Sequence, residues 1–167
     1  MTEQKKKQEE RIARFAAGSE ELDAVLRGLS EVDLDLSRAE GKWTIRQIVH
    51  HIVDAEDLWE TGLKAALGNS GCIFDFSWYI ADNKCAEPLD YARRPVEDAV
   101  KLFKAVRRHV VEMLKNLPGA WERFVIFKHP PLIEEKKFTV NEIIGWQILH
   151  LSMHIKQIRE TREKHGK

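Results

Sequence analysis

Two stretches of this chain are written alike, and together they constrain its fold more than any other feature. Trp43-Thr44-Ile45-Arg46-Gln47-Ile48 and Phe138-Thr139-Val140-Asn141-Glu142-Ile143 repeat one pattern. In each, the Thr hydroxyl can accept from the amide three residues on, and the Gln or Glu side chain can reach back to the Thr amide, a capping box. The aromatic residue before the Thr faces the Ile five residues later as a hydrophobic staple. Apolar residues at helical spacing follow both starts. One predicted helix therefore runs from Thr44 to about Leu67, where Gly68 stops it. The other runs from Thr139 to about Arg162, with basic residues near its end that suit the helix dipole.

Two further segments carry the same periodicity. From about Glu3 to Leu29, the residues Ile12, Phe15, Ala16, Leu22, Val25, Leu26 and Leu29 form a stripe that Gly18 weakens without ending. From Pro95, a suitable first helical residue, to Asn116, the stripe is Ala99, Phe103, Val106, Val110 and Leu114. Four amphipathic helices in 167 residues make an all-α four-helix bundle, one domain over residues 1–167.

The connections are uneven. Ser30 to Lys42 is a plain connector. Residues 69–91 lack a helical pattern but hold Phe74, Phe76, Trp78 and Tyr79. A connection of that length has a task. Here the expected tasks are to cross between two parallel helices, the second and third, and to wall a pocket with aromatics. Residues 119–138 form a second long connection, with His129-Pro130-Pro131 and a short hairpin expected around Phe124 to Ile126.

Composition narrows the function. The 27 basic and 27 acidic residues cancel, against general nucleic-acid binding, which relies on excess positive charge. The runs Lys5-Lys6-Lys7 and Arg107-Arg108 read as solvated helix surface. No apolar run approaches the roughly 20 residues that span a bilayer. Cys72 and Cys85 are expected to be reduced thiols in a cytoplasmic protein, since no export signal precedes them.

The chemistry lies in the histidines. His150 and His154 are four residues apart, one turn along a helix face, so their rings can converge on one ion. On a wheel centred on Val140, Ile144, Leu151, Ile155 and Ile158, His154 falls within the apolar stripe and His150 at its edge. On the second helix, His51 lies on the shoulder of the apolar face, whereas His50 points towards solvent. His51, His150 and His154 are thus the expected metal ligands. Three neutral imidazoles leave open positions on a divalent ion, the pattern of a catalytic rather than a structural site. Three imidazoles suit zinc, nickel, iron or cobalt, and affinity order alone does not choose among them. Glu56 falls near the middle of an apolar face and needs a partner or a metal-linked water. It is the one candidate for a catalytic base, since Asp54 points away from the core. His109, His129 and His165 read as non-ligands, although the loop holding His129 can fold over a bundle end.

These residues resemble the DinB/YfiT-like superfamily of four-helix metalloproteins. The resemblance rests on Gly41 to Glu56 and on His150-Leu-Ser-Met-His154-Ile-Lys-Gln157-Ile158. The family pattern opens helix two with Trp-Ser/Thr and places a metal His eight residues after the Trp, which here is His51. Its second part, His-x-x-x-His before a Gln-Ile-like end, falls on His150, His154 and Gln157-Ile158. The resemblance implies an up-down-down-up bundle with a long crossover between helices two and three. It also implies a bound zinc or nickel ion, a homodimer and small-molecule substrates. Characterised members include thiol S-transferases that join a low-molecular-weight thiol to electrophiles. The leading expectation is a metal-dependent enzyme of that type. The alternatives are a metal-dependent hydrolase and a non-catalytic metal-binding bundle. The pocket is expected to be lined by residues 30–43 and by the end of the crossover, about Cys85 to Pro95.

Overall fold

The computed structural model describes residues 2–75, 77, 85–128 and 135–167. Four long helices dominate: α1 Glu3–Leu26, α2 Ile45–Gly68, α3 Glu97–Asn116 and α4 Val140–His165. Both capping boxes are formed, Thr44 with Gln47 and Thr139 with Glu142. Local sequence therefore starts α2 and α4 where expected. The helix from Pro95 begins later, at Glu97, and the last helix continues beyond Arg162 to His165.

Each of α1 and α2 packs against both α3 and α4. Arg11 on α1 donates to Asn141 at the start of α4, while Arg162 near the end of α4 donates to the Val25 carbonyl at the end of α1. Arg123, just past α3, donates to the Leu67 carbonyl at the end of α2.

The bundle is not purely helical. β1 Ile73–Asp75, β2 Phe124–Lys128 and β3 Lys136–Thr139 form a three-stranded sheet in that order. β2 and β3 are the expected hairpin, antiparallel with Val125 opposite Phe138. β1 was not expected: it lies parallel to β2, with Ile73 opposite Ile126. The sheet adds Val125, Phe127 and Phe138 to the core at one end of the bundle. Trp59 stacks on Phe127 there, with ring centroids 5.1 Å apart. Phe74 joins this cluster, its ring against Gly62, where a Cβ would approach to 3.1 Å. Phe74 therefore closes the sheet end of the bundle and does not line a pocket beside the histidines; Phe76, Trp78 and Tyr79 lie outside the described residues.

A polar layer divides the core. On one side are Phe15, Leu63, Val110 and Ile144; on the other are Leu22, Ile52, Phe103 and Leu151. Between them each helix contributes one residue of another kind: Gly18, Glu56, Arg107 and Gln147. The Arg107 guanidinium donates to both carboxylate oxygens of Glu56, at 2.9 and 3.1 Å, and to the carbonyls of Phe15 and Gln147. It also lies against the rings of Phe15 and Phe103. Gly18 makes this possible, because a Cβ there would sit 2.0 Å from an Arg107 nitrogen. Arg107 is thus buried and not part of a solvated surface run, while its neighbour Arg108 is exposed.

Candidate metal centre

The half of the core built from Leu22, Ile48, Ile52 and Leu151 carries the histidines. On α4 the four-residue spacing places His150 and His154 side by side, with Nε2 atoms 3.1 Å apart. On α2, two turns beyond the cap at Thr44, His51 brings its Nε2 within 3.0 Å of His150 Nε2. The possible ligand atoms of His51, His150 and His154 all lie within 4.8 Å of one another. Among the described residues no carboxylate or thiol joins this cluster.

The arrangement fits a metal ion. Bonds of about 2.0–2.1 Å at right to tetrahedral angles separate neighbouring ligand nitrogens by about 2.9–3.4 Å. The observed spacings of 3.0 and 3.1 Å fall in that interval. Protonation would spoil the site, and the surroundings oppose it. Burial, reinforced by neighbouring His154, pushes His51 down to about 3. Burial also takes His150 to about 3, helped by His154, His51 and Arg107. His154 is lowered by burial despite its bond to Gln157. Neutral rings keep the lone pairs that a metal requires.

The outer contacts orient the ligands. His154 Nδ1 donates to Gln157 Oε1 at 3.1 Å, one turn further along α4, which leaves Nε2 free for a metal. Trp43 lies over His51, with ring centroids 4.8 Å apart. A cavity of about 230 Å³ adjoins the cluster, lined by Arg38, Gly41, Lys42 and Trp43 together with Ile48, His51, His154 and Gln157. Its wall from the connector is held by Arg46, which donates to Asp35 and to the Glu31 carbonyl. The connector thus lines the mouth as expected.

The other half of that expectation fails. None of residues 85–95 lines this cavity. They cover a different face of α2, and this also corrects the reading of His50. His50 is buried, not turned to solvent: Nε2 donates to the Arg94 carbonyl at 3.0 Å, and the ring stacks on Tyr91. Asp54, expected on the outer face, accepts a 2.6 Å bond from the Tyr91 hydroxyl. The wheel of α2 alone could not anticipate a crossover folded over it.

Glu56 is not a base waiting at the metal. Both its oxygens are engaged by Arg107 in the buried layer. Burial pushes its carboxyl up from the usual range, against the pull of the guanidinium. Arg107, the partner that Glu56 required, falls on one stripe with Phe103, Val110 and Leu114 at helical spacing, a signal masked by the run Arg107-Arg108. His109 is exposed near Glu60, and His165, the last residue of α4, reaches the Ser37 carbonyl in the connector. His129 lies outside the described residues. Cys72 and Cys85 are not joined in a disulfide.

The DinB superfamily model matches residues 14–158. The chain belongs to the DinB superfamily. A relative from Oceanobacillus iheyensis is 29% identical over 131 residues, covering 78% of this chain and 71% of the relative. Another from Bacillus mycoides is 28% identical over 141 residues, covering 84% and 78% respectively. Both carry the name "putative metal-dependent hydrolase". YfiT from Bacillus subtilis superposes with a TM-score of 0.83 at 20% identity, over 99% of this chain and 90% of its own. It is described as a probable metal-dependent hydrolase with an unusual four-helix bundle topology, and the likeness establishes the shared fold. Among the described residues no helix is long and apolar enough to cross a membrane.

Proposed function

We propose that this DinB protein is a metal-dependent hydrolase in which His51, His150 and His154 hold one divalent ion, zinc or nickel. The observation that carries this reading is the convergence of three imidazole nitrogens beside a solvent-open cavity, with no fourth ligand from the described residues. When bound, such an ion supplies Lewis acidity and makes a nucleophile available at neutral pH. The chain's own part is positioning. Gln157 fixes the ring of His154, Trp43 shields His51, and Ile48 supplies an apolar wall. Glu56 is not placed to act as a base at the ion, because both its oxygens accept from Arg107. The up-down-down-up course fits the contacts of Arg11 with Asn141, Arg162 with Val25 and Arg123 with Leu67.

One observation favours a second reading, thiol transfer to a small electrophile. Among the described residues no carboxylate lines the cavity to serve as a base for water. A thiol is acidic enough to be held as thiolate by a metal without one. Metal-loaded protein should be assayed in parallel with chromogenic esters and amides, and with a thiol plus an alkylating dye. Metal-dependent turnover of the first set supports hydrolysis, and of the second set thiol transfer. If neither turnover depends on metal, the enzymatic reading is wrong.

A further inference from the structure

The cavity beside the histidines is charged in an unbalanced way. Arg38 and Lys42 line it, and among the described residues no Asp or Glu does. A divalent ion at the histidines would add to the same sign. Arg38 is the informative residue. Its guanidinium makes no side-chain hydrogen bond among the described residues, and its one ion pair there, with Glu160, is long at 3.8 Å. The side chain is nevertheless about two-thirds covered, since its exposure is 31%.

The loop that presents Arg38 is built, not merely draped. Ser37 pairs with Thr44 in an isolated antiparallel bridge, and the Lys42 amide donates to the Ala39 carbonyl. Lys164 and His165 at the end of α4 donate to the carbonyls of Arg38 and Ser37. Gly41 turns the chain with φ of 69°, a conformation that L side chains rarely adopt. The backbone under Arg38 is therefore tied at both ends to the helices that carry the histidines. A side chain presented from a fixed backbone loses less freedom when it meets a planar anion than one on a loose loop.

We infer that the ligand of this site carries an anionic group, a carboxylate or phosphate, which Arg38 binds while another atom of the ligand meets the metal. Lys42 adds charge at the rim. The cavity's volume of about 230 Å³ lies below the roughly 300–1,000 Å³ of pockets for drug-sized ligands, which suits a small ligand. This assignment rests on the metal-site reading above and adds the substrate class to it. Arg38 acts as a specificity residue under either reaction.

The test uses cobalt-loaded full-length protein and two thiols, thioglycolate and 2-mercaptoethanol, titrated while the visible spectrum of the cobalt is followed. Both present sulfur to the metal, but only the first carries a carboxylate. The native chain should bind thioglycolate about tenfold more tightly, the worth of one partly exposed charge-assisted bond. Arg38→Gln should remove that preference and leave 2-mercaptoethanol binding and cobalt content unchanged. Arg38→Lys should keep part of the preference, and Arg14→Gln on α1 should keep all of it. Equal affinities for the two thiols in the native chain, an undiminished preference in Arg38→Gln, or no binding of either thiol at millimolar concentration would overturn the inference. Failure to take up cobalt at all would instead remove the metal-site reading beneath it.

Discussion

Glu56→Gln is the sharpest perturbation of the bundle's interior. Both partners of the Glu56–Arg107 pair are nearly inaccessible, with side-chain exposures of 3% and 1%. The substitution preserves shape but removes the counter-charge, and it turns one amide NH₂ towards a guanidinium that can only donate. The bonds from Arg107 to the carbonyls of Phe15 and Gln147 remain, but they bring no negative charge. Removing one partner of a buried pair costs about 3–5 kcal/mol. For a chain of this size that lowers Tm by about 6–20 °C. Urea denaturation followed by circular dichroism measures the loss. The double variant Glu56→Leu with Arg107→Met should recover most of it, because no buried charge is then left alone. A loss below about 1 kcal/mol in Glu56→Gln would refute the buried ion pair as the organiser of this layer. So would a double variant no more stable than the single one.

Other consequences can be checked alongside. Thr44→Ala and Thr139→Ala should each cost about 1 kcal/mol in the same denaturation assay, since each removes one capping hydroxyl. Gln157→Leu should weaken metal affinity by about 10–100-fold, read by competition with a chelating dye, because His154 loses the acceptor on its Nδ1. Glu142 is held below the usual carboxylate range by the amide and hydroxyl of Thr139. Its stabilising effect is therefore complete above the unfolded value of about 4.3 and is lost as pH falls through the lower folded value. Glu142→Gln should flatten the acid limb of the stability–pH profile, and an unchanged limb would show that the carboxylate contributes nothing.

The starts of α2 and α4 were legible because a capping box is a local device whose parts lie within a few residues. The convergence of the three histidines was legible for a related reason. Helical spacing sets His150 beside His154, and the shoulder position of His51 survives whatever packs around it. His50 was misread because a wheel shows only one helix, whereas the stretch with Tyr91 and Arg94 that buries it arrives from about forty residues away. β1 is three residues long and pairs with a strand some fifty residues later, so no periodicity announces it. Arg107 was hidden by its neighbour. Beside Arg108 it reads as a surface run, yet the carboxylate on the apolar face of α2 already demanded a cation at that level.

Direct titration of metal-free protein with zinc, by calorimetry on variants verified as folded, tests the central claim. The native chain and His50→Ala should each bind one equivalent, while His51→Ala, His150→Ala and His154→Ala should each lose the site or bind far more weakly. Retained tight binding in any of those three, or a loss in folded His50→Ala equal to that in His51→Ala, would contradict the assignment.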